Sequence, residues 1–167
     1  MLGEFQSLFS IGVHNWVNNQ VPHLVLRSLK GNIMKIASNI ENLHQVRDYI
    51  RQFCSTLAPP LPDEKLDMLE LAANEVAANI IRHGYDDNKP GKFEILIAPE
   101  TTGISIQFID QGHPFHRENA TLFNPETDEI IDKTGGFGLF IIEKIMDKVT
   151  YDQDDLGNNR TQLFLKI

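Results

Sequence analysis

Residues 69–85, LELAANEVAANIIRHGY, join an apolar helix face to a row of polar side chains. Its apolar residues recur at the spacing of an amphipathic helix. At about 100° per residue, Glu75, Asn79 and His83 fall on one row at the margin of the apolar face. Gly84 is a plausible end for the helix. On an arbitrary helix such a row is usually solvated surface, so its meaning depends on the rest of the chain.

Two later segments carry further polar and glycine signals. Residues 109–115 (IDQGHPF) follow an apolar, alternating run, which places Asp110 at the end of a strand. Gly112 permits a positive φ or a close approach to a ligand. Residues 134–142 (TGGFGLFII) lead into a helix, whose N-terminal N–H groups suit phosphate oxygens. Taken singly, the first segment also fits an aspartate that caps a turn, and the second fits a hinge or a simple helix start.

In this order, the three segments resemble the nucleotide-binding boxes of the family that contains gyrase, chaperone and histidine-kinase ATPase domains. More narrowly, the pattern from Asp110 through Gly112 and Pro114 to Phe115, and residues 135–147, are similar to bacterial anti-sigma-factor serine kinases. Pro114 stands where many relatives of the wider family have glycine. The resemblance covers roughly residues 33–167, which is nearly the whole chain apart from its first thirty or so residues. It implies a Bergerat-type ATP-binding fold.

The resemblance also implies roles for particular residues. Glu75 is the expected general base, and Asn79 the expected ligand of Mg²⁺. Asp110 is assigned to the adenine amine, with Thr161 as a weaker supporting candidate. The nucleotide-binding residues implied in this way are Asn79, His83, Asp110, Gly112, Gly135, Gly136, Gly138 and Thr161, and the implied cofactors are ATP and Mg²⁺. His83 is also explained by packing near a helix terminus. His113 and His116 lack a third ligand, so they do not predict a zinc site.

Composition narrows the classes of function. The 167 residues carry a net charge of −8 and are 41% apolar. This charge argues against binding to nucleic acid and against a polybasic membrane anchor. The sequence has no apolar run of membrane-spanning length. Cys54 is the only cysteine, which fits a reducing cytoplasm.

Periodicity along the chain predicts the order β-α-α-β-β-lid-α-β-β, in which the lid is the polar stretch 116–133. This order predicts an α+β fold: a two-layer sandwich with helices on one face of a mixed, mostly antiparallel sheet. Residues 1–31 are predicted to be an N-terminal extension and residues 32–167 the ATP-binding kinase domain. A capping box at Ser38 and Glu41, and a cap at Asp63, are predicted to open the first two helices.

The similarity to anti-sigma kinases implies an ATP-dependent serine/threonine kinase that sequesters a sigma factor and phosphorylates a STAS-type anti-anti-sigma protein. A homodimer is expected. The residues ahead of the domain are expected to be too few for a phosphoacceptor-histidine hairpin, and no transducer domain is expected after it. An anti-sigma kinase is therefore expected rather than a sensor histidine kinase or a gyrase- or chaperone-type ATPase. One alternative is a non-catalytic, ATP-responsive module that sequesters a regulatory partner. Another is an ATP-binding fragment that serves a histidine phosphorelay.

Overall fold

The computed structural model describes residues 33–86, 91–120, 123 and 136–167. These residues form five strands and three α-helices. The strands are β1 (Ile33–Ala37), β2 (Lys92–Glu100), β3 (Gly103–Asp110), β4 (Lys148–Gln153) and β5 (Asn159–Lys166), and the helices are α1 (Leu43–Cys54), α2 (Asp63–His83) and α3 (Phe137–Ile145). The predicted extension, residues 1–31, and most of the lid lie outside the described residues. The division of the chain into two parts therefore stays a prediction.

One sheet contains all five strands, in the order β1-β2-β3-β5-β4, and every pairing in it is antiparallel. The predicted two-layer α+β sandwich is confirmed, and its sheet is antiparallel throughout the described strands. Strand β5 lies between β3 and β4. It pairs with β4, which precedes it in sequence, on one edge and with β3 on the other. The pairing of Asp110 with Asn159, and of Phe108 with Thr161, places these side chains on one face of the sheet.

The hydrophobic core lies between this face and the helices. Helix α2 packs between α1 and α3 and also contacts β3 and β5. The predicted apolar face of α2 is buried as expected, including Leu69, Val76 and Ile80, and its alanines bring the helix backbone close to the sheet. Burying a side chain the size of Leu69 contributes about 1.5–3 kcal/mol. Within the described ranges, no helix combines the length and the hydropathy that crossing a membrane requires.

The predicted helix caps are wrong by one residue. A short 3-10 turn, Ile40–Asn42, precedes α1, and the Asn39 side chain caps it by accepting a hydrogen bond of 3.0 Å from the Glu41 N–H. The Ser38 hydroxyl is buried without a hydrogen-bond partner among the described residues. Asp63 is the first residue of α2 rather than its cap, because Pro62 occupies the capping position. At this position the negative charge of Asp63 interacts favourably with the positive end of the helix dipole.

Candidate nucleotide site

The polar row of α2 forms one wall of a cleft. Asn79 and His83 line a cavity of about 560 Å³ between α2, α3 and the sheet. Glu75 lies one turn before Asn79 and is half-buried, and its Oε2 packs against Gly138 of α3 so closely that a Cβ at Gly138 would collide with it. The structure therefore places the predicted row at the boundary between core and cleft.

The turn after β3 joins the end of α2 through a close backbone contact. The Gly112 N–H donates a hydrogen bond of 2.8 Å to Oδ1 of Asp110, and the His113 N–H donates one of 2.7 Å to the Gly84 carbonyl. A Cβ at Gly112 would overlap that same carbonyl. Gly112 is thus required for close approach and not for a positive φ. Gly84 ends α2 as predicted.

The N-terminus of α3 forms the opposite wall of the cleft. Gly136 occupies the capping position with φ 87°, a left-handed conformation that glycine adopts without strain. Gly136 and Gly138 both line the cavity, so the first N–H groups of α3 border it. Gly135, the other predicted phosphate-binding glycine, lies outside the described residues.

The floor of the cleft is formed by the sheet. Asp110, Thr161 and Tyr151 line it, and Asp110 is only 8% exposed. The predicted residues that the structure describes therefore meet in one place: Asn79, His83, Asp110, Gly136, Gly138 and Thr161 line the cleft, while Glu75 and Gly112 border it.

Two floor residues, Asn159 and Arg160, were missed by sequence analysis. Asn159 is 7% exposed, and its Nδ2 lies 3.0 Å from Oδ1 of Asp110, with the Gly112 and His113 carbonyls each at 3.1 Å. Arg160 forms a 2.5 Å ion pair with Asp152, its partner on β4. The sequence did contain a signal for Asn159. Residues 159, 161, 163 and 165 alternate along a strand, so Asn159 shares the face of the sheet on which Leu163 and Leu165 are buried.

The chemistry of the cleft suits a nucleotide. A cavity of about 560 Å³ falls within the usual range for small-ligand sites, about 300–1,000 Å³. Apolar side chains, among them Ile80 and Ile142, can cover a flat base, and Asp110 offers an acceptor at the cavity floor. For Mg²⁺ the cleft offers the Asn79 carboxamide oxygen, and the described residues contain no cluster of three acidic, histidine or cysteine ligands. Such a sparse protein shell fits a cation that keeps waters and binds phosphates.

The described part of the lid is held on α3. Arg117 forms a two-bond ion pair with Glu143, in which its Nη2 lies 2.8 Å from Oε2. The Phe123 side chain is buried, with its ring centroid 5.2 Å from Phe137 and 5.7 Å from Phe140. The remaining residues of the lid at 121–122 and 124–133 lie outside the described part of the chain, so the expected response of the lid to nucleotide stays a prediction.

The sequence pattern of one protein family, the histidine kinase-like ATPase domain, matches residues 36–164. The chain belongs to this family. The matched range runs from β1 to β5 and contains every element that forms the cleft. The ATP-binding fold predicted from the three boxes is therefore confirmed.

Relatives narrow the resemblance further. The chain is 33% identical over 90 residues to the serine-protein kinase RsbW of Oceanobacillus iheyensis, an alignment that covers 52% of this chain and 57% of the relative. It is 26% identical over 121 residues to the anti-sigma F factor of Clostridium acetobutylicum, covering 72% and 82%. A serine-protein kinase RsbW of Staphylococcus aureus is 33% identical over 92 residues, covering 52% and 58%.

The chain thus spans somewhat more than half the length of the RsbW relatives that it matches. The predicted resemblance to anti-sigma-factor serine kinases is confirmed by these names. The particular activity, substrate and partners of this chain are a separate matter and are taken up as proposals below.

Proposed function

We propose that this chain is an ATP-dependent serine/threonine protein kinase and anti-sigma factor of a partner-switching pathway. Its substrate is a small anti-anti-sigma protein of the STAS type, and the partner that it sequesters is a sigma factor. The similarity to proteins named as a serine-protein kinase and as an anti-sigma F factor supports this assignment.

The observation that carries the proposal is the contact between Glu75 and Gly138. It places a carboxylate beside the N-terminus of α3, where phosphates would bind. The contact between Gly84 and Gly112, next to Asp110, lies further along the same helix. At a rise of about 1.5 Å per residue, the nine residues from Glu75 to Gly84 put the two contacts about 13.5 Å apart along α2. A nucleoside triphosphate with its base at Asp110 and its phosphates at α3 suits this separation.

Each residue then has a defined task. Asp110 accepts a hydrogen bond from the adenine amine, and the N–H groups at Gly136 and beyond bind phosphate oxygens. Asn79 holds Mg²⁺, which when bound neutralises charge on the phosphates. Glu75 accepts the proton of the attacking serine or threonine hydroxyl. Phosphoryl transfer depends mainly on positioning and charge neutralisation, and these groups supply both.

The test is phosphate transfer from γ-labelled ATP to purified STAS-domain proteins, with the modified residue mapped by mass spectrometry. The wild-type protein should label one serine or threonine. Glu75→Gln keeps the shape of the side chain but removes the base, so transfer should fall by about 10²–10⁴-fold while ATP affinity is retained. Asn79→Ala should weaken both transfer and ATP binding.

The same experiment separates kinase from binding module. A wild-type protein that binds ATP, changes its affinity for a sigma factor in response, and labels none of the STAS-domain proteins would contradict the kinase assignment. A Glu75→Gln variant with wild-type transfer would leave a kinase but refute the role of Glu75.

We further propose that the protein acts in the cytoplasm as a homodimer, by analogy with anti-sigma kinases. Light scattering across a range of concentrations tests the homodimer. A monomeric mass at micromolar concentration, with and without ATP, would contradict it.

A further inference from the structure

A row of three polar side chains crosses the sheet at the floor of the cleft. Asp110 pairs with Asn159 between β3 and β5, and Asn159 pairs with Gln153 between β5 and β4. Antiparallel partners share a face of the sheet, so all three side chains project from the same face. Gln153 Nε2 donates a hydrogen bond of 2.8 Å to Oδ1 of Asn159, whose Nδ2 in turn donates to Oδ1 of Asp110. The row is therefore a directed chain of hydrogen bonds that ends on the carboxylate.

The orientation of the Asn159 amide follows from its surroundings. Its Nδ2 faces three oxygens, which belong to Asp110, Gly112 and His113. The opposite orientation would place an amide oxygen against these three acceptors and an amide nitrogen against the Gln153 donor. Only one orientation satisfies both neighbours, because an amide oxygen accepts and an amide nitrogen donates. A buried donor in this position also avoids the cost of unpaired backbone carbonyls in the turn.

This arrangement affects the two oxygens of Asp110 differently. Among the described residues, the hydrogen bonds to the carboxylate come from the Gly112 N–H and from Asn159, and both reach Oδ1. They fix the rotation of the carboxylate and leave Oδ2 to accept from a ligand. Asp110 is only 8% exposed, so little of its side chain reaches the cleft. If the carboxylate rotated, Oδ2 would no longer face a ligand in the cleft.

We propose that Asn159 is a positioning residue that confers specificity for a 6-aminopurine. It acts through Asp110, by holding one carboxylate oxygen so that the other meets the exocyclic amine, and Gln153 sets its orientation. This inference rests on the proposed function, because it presumes that the cleft binds ATP with the base at Asp110. Its consequence is measurable as discrimination between nucleotides, separately from affinity for the triphosphate.

The test compares ATP with purine riboside triphosphate, which lacks the 6-amino group, by calorimetry. Asn159→Ala should reduce ATP affinity by about tenfold, about 1.4 kcal/mol, and leave affinity for the analogue within about threefold of wild type. A purely structural role predicts equal losses for both nucleotides. Asn158→Ala is the matched control, because the Asn158 amide bonds Gln111 and Asp154 instead of Asp110. This control should leave the ratio of the two affinities unchanged.

A second variant covers the case in which Asn159→Ala does not fold. Gln153→Glu replaces the donor that faces Asn159 with an acceptor at an exposed position. The oxygen of the Asn159 amide then faces an acceptor instead of a donor, which should loosen the hold of Asn159 on Asp110 and so lower ATP affinity but not analogue affinity. Gln162→Glu adds the same charge on the other face of β5 and should leave the ratio unchanged.

The outcomes distinguish this inference from the proposed function. A wild-type protein that fails to bind ATP, or binds it no better than the analogue, overturns the adenine site and this inference together. A wild-type protein that prefers ATP, with Asn159→Ala and Gln153→Glu retaining that preference, overturns the role of Asn159 alone. Loss of the preference in both variants supports it.

Discussion

Replacing Gly138 by alanine should separate stability from catalysis. The new Cβ would overlap Oε2 of Glu75, so the Glu75 side chain must move. That atom is the far end of a flexible side chain, and a forced rotamer costs about 0.5–1.5 kcal/mol. Alanine within a helix recovers about 0.8–1.0 kcal/mol relative to glycine. The two effects nearly cancel, so the free energy of unfolding should change by less than about 1 kcal/mol.

The effect on phosphate transfer should be large by comparison. A misplacement of about 1 Å in a catalytic group costs about 10²-fold in rate. Single-turnover transfer to the STAS-type substrate should therefore fall by about two orders of magnitude, while ATP affinity measured by calorimetry changes by less than about threefold. The double variant with Glu75→Ala should be no slower than Glu75→Ala alone, because the two changes remove the same function.

Two results would refute this reasoning. Wild-type transfer by Gly138→Ala would mean that the position of Glu75 is not critical. Additive losses in the double variant would mean that Gly138 acts by another route, such as the approach of the α3 backbone to a phosphate. Lys144→Ala is the control, because this side chain is exposed and lies in the last turn of α3, away from Glu75; it should leave transfer at the wild-type rate.

Three further predictions concern single side chains. Asp110→Asn should cut ATP affinity by at least about tenfold in calorimetry, because its Oδ2 acceptor becomes a donor that faces the adenine amine; equal wild-type affinity for ATP and GTP would contradict this. Burial chiefly, and then the nearby charge of Glu143, raise the pKa of Tyr151 to about 12. Because the folded protein holds this proton more tightly than the unfolded chain, the free energy of unfolding should fall as the pH rises from 10.0 to about 12, and denaturant unfolding at a series of pH values would detect this. In the same series Tyr151→Phe should lose the part of this dependence that Tyr151 contributes, while the part from Tyr49, whose pKa burial also raises to about 12, remains. The variant should be at least as stable at neutral pH, because the Tyr151 hydroxyl is buried without a partner among the described residues. Burial first, and then the charge of Glu70, raise the pKa of the Cys54 thiol to about 11, so its modification by a thiol reagent at pH 8 should track unfolding; immediate modification of the native protein would contradict this.

The helical half of the site was predictable from sequence because helix neighbours are fixed by spacing. Glu75, Asn79 and His83 share a row by periodicity alone, and the structure places them at the cleft as expected. Asp110 was predictable for a similar reason, since an alternating strand ends there. Local geometry alone predicted these positions, whereas the roles assigned to the residues came from the resemblance to a family of ATPases.

The sheet half was less predictable because it depends on register between distant strands. Asn159 meets Asp110 only through the pairing of β3 with β5, and no local pattern fixes that register. The close contact of Gly112 with Gly84 depends likewise on how the end of α2 meets the turn after β3. The error at Ser38 has another origin, since a short 3-10 turn before α1 moved the cap to Asn39.

The place of β5 between β3 and β4 has a consequence for synthesis of the protein. Asp110 and Asn159 are separated by 49 residues, which a ribosome adds in roughly 2–10 s at about 5–20 residues per second. A β2–β3 hairpin formed in that interval would have β2 on one side of β3 and an unpaired edge on the other. Such an edge offers free N–H and C=O groups to other chains. The strand that completes the floor of the cleft is therefore also the one that ends a period of exposure in the nascent chain.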